Sequence, residues 1–154
     1  MSGTEYRVYY GINSEGRFAA DIAAAESRCF SEPWSESAVR DFFAYSYNGA
    51  VISCTDGVFS GYITYTFIAG ELQIANVCVL PEFRRRGIAD GLMAAFVAFA
   101  KEQKAEKISL EVRASNEPAR ALYEKWGFKA VGLRRNFYKA PTEDAVLYDK
   151  ILEQ

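Results

Sequence analysis

The run Val77-Cys78-Val79-Leu80-Pro81-Glu82-Phe83-Arg84-Arg85-Arg86-Gly87-Ile88-Ala89 holds the strongest chemical signal in the chain. β-Branched residues end at a proline, three consecutive arginines follow, and a glycine opens a long segment of helical periodicity. That order reads as a strand, a basic loop and a helix start. The first amides of a helix have no partner within it, and the positive end of the helix dipole lies there. Small residues at Gly87 and Ala89 let the backbone approach a bulky anion, so the segment suits a phosphate-bearing ligand. A solvated basic loop before a surface helix is the plainer alternative. Neither Gly-Lys-Ser/Thr nor G-x-G-x-x-G follows a strand here, which sets aside a P-loop and a dinucleotide fingerprint.

Other reactive groups are few. The chain has no histidine, which excludes a Ser-His-Asp triad, a Cys-His pair and His-ligated zinc. Proton transfer falls to Glu, Asp, Tyr, Lys, Cys or water. Glu111 interrupts the otherwise apolar Ile108–Val112 strand, and is either on the solvent face of an edge strand or a functional group. Tyr123 is either a core aromatic or a catalyst. Asn116 stands where a helix N-cap belongs. Cys29, Cys54 and Cys78 are odd in number and far apart. This favours a reducing compartment, with all three as small core residues and no metal site.

These groups need a scaffold. Tyr6–Tyr10 reads as a strand ended by Gly11, and the alanine-rich Phe18–Cys29 as a helix. Ser35 caps a second helix running to about Tyr45. Ala50–Cys54, Val58–Ile68 and Glu71–Leu80 form an antiparallel meander, its first turn made by Asp56-Gly57. Ile88, Leu92, Ala95, Phe96 and Phe99 recur at helical spacing, so Ile88–Gln103 is an amphipathic helix. Lys107–Val112 is a buried strand. Pro118 fits the first turn of a helix that runs to Trp126 and stops at Gly127. Phe128–Arg134 and Ala145–Ile151 complete the chain as strands. The expected fold is α/β: a mixed, mostly antiparallel sheet flanked by helices, in one domain over residues 1–154.

With 154 residues, half of them hydrophobic, the chain can bury a real core. Its 18 basic against 20 acidic residues, a formal charge of −2, argue against a dedicated nucleic-acid binder. No apolar run reaches membrane-spanning length, and Met1–Gly11 lacks a signal-peptide core. The expectation is a cytoplasmic protein.

R-R-R-G-I-A after a V-C-V-L-P strand end resembles the acyl-CoA pyrophosphate signature, Arg/Gln-x-x-Gly-x-Gly/Ala, of the GNAT superfamily of N-acetyltransferases. The likeness continues through Leu110-Glu111-Val112-Arg113-Ala114-Ser115-Asn116 and Ala121-Leu122-Tyr123-Glu124-Lys125-Trp126-Gly127-Phe128. With Pro33-Trp34-Ser35-Glu36 upstream and Arg134-Arg135-Asn136-Phe137-Tyr138 downstream, it is similar to the RimI-type ribosomal-protein-alanine N-acetyltransferases. The resemblance implies the GNAT fold, acetyl-CoA as cosubstrate without a metal, and direct attack of an amine on the thioester. It makes Glu111 the general base and Tyr123 the donor to the departing thiolate. It assigns cofactor binding to Val77, Cys78 and Val79, to Arg84, Arg85, Arg86, Gly87, Ile88, Ala89 and Asp90, and to Asn116. Trp34, Tyr62, Tyr65, Arg134, Arg135 and Tyr138 are candidates for a peptide groove. The implied acceptor is the α-amine of an N-terminal alanine on a ribosomal protein. A lysine or small-molecule acceptor and a non-catalytic CoA-binding module are the alternatives.

Overall fold

The computed structural model describes residues 3–10 and 18–152. Seven strands form one sheet in the order β1-β2-β3-β4-β5-β7-β6. They are β1 Thr4–Tyr10, β2 Asn48–Thr55, β3 Val58–Ile68, β4 Glu71–Val79, β5 Lys107–Arg113, β6 Lys129–Tyr138 and β7 Glu143–Ile151. Only β4 and β5 pair in parallel; every other neighbour is antiparallel. The hairpin turns at Asp56-Gly57 and Ala69-Gly70 both hold two residues at positive φ. This backbone matches the twist of the strands they join.

Helices α1 (Ala19–Cys29) and α2 (Glu36–Phe43) cover one face, and α3 (Ile88–Glu102) and α4 (Glu117–Lys125) the other. The alternation of strand side chains divides the core accordingly. Ala50, Ile52, Tyr62 and Cys78 face α1 and α2. Val51, Ile63, Tyr65 and Leu72 join Leu92, Phe96 and Phe99 of α3 in the larger cluster. The expected caps are in place: Ser35 accepts from Ala38 N at 3.1 Å, and Asn116 from Ala119 N at 3.2 Å.

The structure departs from expectation in local ways. Helix α2 stops at Phe43, short of Tyr45, and β6 runs four residues past Arg134 to Tyr138. Cys78 is buried, but Cys29 and Cys54 are only partly so, which corrects the reading of three core cysteines. Gly11 lies outside the described residues. Among the described residues no helix is long and apolar enough to cross a membrane.

Two contacts seat the start of α3. A Cβ at Gly91 would fall on the Tyr6 ring and hydroxyl, so the Tyr6 side chain of β1 rests on α3 where glycine leaves room for it. On the other side, Asp90 accepts from Lys125 Nζ and Trp126 Nε1, both at 3.0 Å, tying the first turn of α3 to the end of α4. Gly91→Ala should therefore overpack this joint, at a cost of about 1–3 kcal/mol. A loss of ~1 kcal/mol moves the melting temperature by roughly 2–4 °C in a chain of this size. Calorimetry should show a drop of several degrees, partly recovered by Tyr6→Ala; an unchanged Tm would contradict the close approach.

Candidate active site

The site begins where β4 and β5 part. They pair only from Glu71 to Gln73 against Lys107 to Ser109. The register of β4 against β3 then shifts, with Thr64 opposite Asn76 but Tyr65 opposite Ile74, so Ala75 is an extra residue. Such a bulge bends its strand. It is held by Thr64, whose hydroxyl accepts from Asn76 N at 3.1 Å. Leu80 N donates to Ser60 O of β3 at 2.9 Å. Amides alternate in direction along a strand. Asn76, Cys78 and Leu80 thus point their N–H groups at β3, and Val77 and Val79 point theirs into the opening.

The opening contains a cavity of about 440 Å³. Gln73 to Val77 form one wall and Glu111 to Arg113 with Asn116 the other; Phe30 to Glu32, Trp34 and Phe137-Tyr138 flank the mouth. Arg113 fixes the two flanks together. Its guanidinium donates to Lys139 O at 2.7 Å, Pro141 O at 2.9 Å, Ser31 Oγ at 3.2 Å and Glu143 Oε1 at 3.3 Å. It also lies over the Tyr138 ring at 4.5 Å. Glu32 adds a direct link by accepting from Lys139 N at 2.7 Å.

Glu111 lines the cavity with its side chain 18% exposed, and Arg134 Nε approaches its Oε1 to 3.4 Å. Asn116 also lines it. Its Oδ1 caps α4, and capping leaves the side-chain NH₂ available to the cavity. Tyr123 is not in the lining. It is buried against Phe128 and Tyr148, and burial, with the Tyr138 hydroxyl adding to it, pushes its phenol well above the usual range. Tyr123 therefore keeps its proton firmly, making it a hydrogen-bond donor before it is an acid. Tyr138 is pushed up to about 12, by burial first and by the charge of Glu111 second.

The cofactor candidates divide. Gly87, at φ 76°, is the N-cap of α3, and nothing lies within 4 Å of where its Cβ would stand. Among the described residues no side chain caps this end, which leaves the amides of Ile88, Ala89 and Asp90 without a capping partner there. Arg86 lies over the Phe83 ring at 5.5 Å. Arg84 turns back instead, donating to Val79 O at 3.0 Å and reaching Cys29 Sγ at 3.6 Å. The Asp90 carboxylate is engaged by α4, and those hydrogen bonds hold it below its usual range. Cys78 is buried toward α1, and burial pushes its thiol far above the range of a reactive thiolate.

Glu26 was not singled out from the sequence. It lies on the core face of α1, 1% exposed, and lines the cavity. Its carboxylate accepts from Tyr62 OH, from Asn76 Nδ2 at 2.9 Å and from Trp34 N at 3.1 Å. It therefore joins α1, the loop after it, β3 and the bulge. A carboxylate four residues after Ile22, on the apolar stripe, was the available signal.

The profile of the Acetyltransferase (GNAT) family matches residues 19–128, well over half of the chain, and the chain belongs to that family. It is 33% identical to the [Ribosomal protein bS18]-alanine N-acetyltransferase of Salmonella typhimurium over 132 residues, covering 82% of this chain and 88% of that protein. Identity to the protein of the same name from Escherichia coli K12 is 31% over 127 residues, covering 80% and 84%. The fold agrees with the crystal structure of the ribosomal-protein-S18-alanine N-acetyltransferase from Escherichia coli, with a TM-score of 0.87 at 24% identity, over 100% of this chain and 96% of that one.

The buried carboxylate gives a pH signature. Burial raises the Glu26 carboxyl above its ordinary value of 4.5, and its three donors only partly offset this. Between the ordinary and the raised value the folded chain holds a proton that the unfolded chain has lost, so stability falls as pH rises through that window. Urea titrations from pH 4 upward should show wild type losing stability relative to Glu26→Gln, then running parallel to it. A constant difference across the range would contradict the assignment.

Proposed function

We propose that this acetyltransferase carries an acetyl group from acetyl-CoA to the α-amine of an N-terminal alanine on a ribosomal protein, acting in the cytoplasm. The observation that carries the reading is the Glu111 carboxylate in the wall of the cleft where β4 and β5 part; the chain leaving β4 runs on to the uncapped N-terminus of α3. The names of the relatives support the acceptor. So does the lining of the cleft, where the Glu111 carboxylate faces the space between the parted strands, which suits a cationic amine.

Acetyl-CoA supplies an acetyl group activated as a thioester. The outward amides of Val77 and Val79 would hold its amide-bearing arm as an added strand would be held. The first amides of α3 from Ile88 to Asp90, with Arg85 and Arg86, would hold its phosphates. In this role Arg84 braces the loop, the Asp90 side chain fixes the helix, and Cys78 contributes packing and backbone. Asn116 offers its side-chain NH₂ to the ligand. At neutral pH an α-amine of pKa about 7.7–8.0 must lose one proton before attacking. Glu111 accepts that proton, directly or through one water. Tyr123 lies behind the lining with burial favouring its protonated phenol, and would donate a hydrogen bond toward the leaving sulfur once the donor's arm is seated.

The chemistry favours an α-amine over a lysine of pKa about 10.4, which is protonated far more completely at pH 7. A peptide beginning with free alanine should be acetylated at its α-amine. The same peptide with a blocked N-terminus should not react at its lysines. Mass spectrometry decides, and comparable lysine acetylation, or preference for a polyamine, would move the protein to another acceptor class. Glu111→Gln should lower turnover by about 10²–10⁴-fold at neutral pH. The deficit should shrink at pH 9.5, where the amine is already neutral; an equal deficit at both pH values would reassign the base. Gly87→Asp places a negative charge at the uncapped helix start and should abolish the thermal protection that CoA gives the wild type.

A further inference from the structure

Glu111 has a cation on it before any acceptor arrives. Arg134 of β6 approaches its carboxylate, with Nε 3.4 Å from Oε1, while the Arg134 side chain remains 55% exposed. Among the described residues the guanidinium also meets the Phe137 ring, 5.5 Å away at the mouth of the same cavity. We propose that Arg134 is a resident stand-in for the ammonium of the acceptor. It holds the Glu111 carboxylate in place in the free enzyme, and the protonated amine of the acceptor displaces it. Arg134 is thus a positioning residue that sets acceptor affinity. This rests on the reading of Glu111 as the proton acceptor.

The two arginines at the cleft are held very differently. Arg113 is locked by two carbonyls, a serine and two carboxylates, and cannot leave without undoing both flanks of the mouth. Arg134 comes no nearer than 3.4 Å, longer than the ~2.7–2.9 Å of a strong charge-assisted arginine–carboxylate bond. Half-exposed pairs of this kind contribute little, so release is cheap. An incoming ammonium has the charge of the guanidinium, a smaller volume and the same preference for carboxylate oxygen. The two cannot share Oε1 without placing like charges side by side in a partly desolvated cleft. The acceptor must therefore compete with Arg134, and the swing of the side chain into solvent costs no backbone movement. The proton later passes from the nitrogen of the amine to a Glu111 oxygen, with Arg134 taking no part in that transfer.

Removing the competitor should tighten acceptor binding. With an alanine-N-terminal peptide varied at saturating acetyl-CoA, Arg134→Gln should lower the peptide KM by about two- to five-fold, the scale of a half-exposed ion pair. The KM for acetyl-CoA should be unchanged. Arg134→Lys should restore the wild-type KM. Lys129→Gln, the same change of charge elsewhere on β6, should leave it alone. Calorimetric titration of the peptide into the CoA-saturated protein should give the same ranking without turnover. In a Glu111→Gln background, Arg134→Gln should no longer change peptide affinity. An unchanged or higher peptide KM and Kd in Arg134→Gln, or an equal fall in Lys129→Gln, would overturn the proposal. Full turnover by Glu111→Gln would instead overturn the reading of Glu111 on which it rests.

Discussion

The bulge at Ala75 is the constraint from which the site follows. A parallel pair such as β4 and β5 would zip along its whole length if nothing prevented it, since each unpaired backbone amide is a loss. Here the pairing stops after Gln73. The extra residue turns β4 away, and the Thr64 hydroxyl takes the displaced Asn76 amide so that the distortion leaves no buried donor stranded. Glu26 secures the same point from the other side by accepting from the Asn76 side chain. One inserted residue thus converts a continuous sheet into a cleft with Val77 on one wall and Glu111 on the other, at the head of an unpaired β4 edge.

The start of α3 follows from the end of β4, and its placement is equally over-determined. Tyr6 against Gly91 fixes how closely α3 lies on β1, while Asp90 ties its first turn to α4. With Asp90 occupied in this way, its carboxylate is turned to structure and the uncapped amides remain for an anion. Arg84 serves the same end by gripping the last carbonyl of β4. Arg113 plays the matching part on the acceptor side, where it binds the loop after α1 and the segment between β6 and β7 into one frame.

What could be read from the sequence was what depends on neighbours in the chain. The Asp56-Gly57 turn, the Ser35 and Asn116 caps and the periodicity of α3 are local, and each stands where the residues indicated. Glu111 and the Gly87 loop were legible as candidates because a carboxylate in an apolar strand and a glycine before a helix stand out in their own segments. The rest depends on residues distant in sequence. Nothing near Ala75 announces a bulge, because its stabilising hydroxyl comes from β3. The three arginines look alike in the sequence, yet one folds back on β4. Arg134 appeared only as a groove candidate, since its contact with Glu111 requires β6 and β5 to be brought together around β7. The ends of α2 and β6 were misplaced because tertiary packing, not propensity, sets them.

The central claim is that the parted edge of β4 receives the acyl donor through the amides of Val77 and Val79. Residue-resolved amide hydrogen exchange, with and without saturating CoA, tests it directly. The Val77 and Val79 amides, which face the cleft, should be slowed markedly when CoA binds. Cys78, whose amide already points to β3, should change much less. If Val77 and Val79 exchanged no more slowly with CoA bound than without it, the parted strands would not be the seat of the donor, and the account of the site would be contradicted.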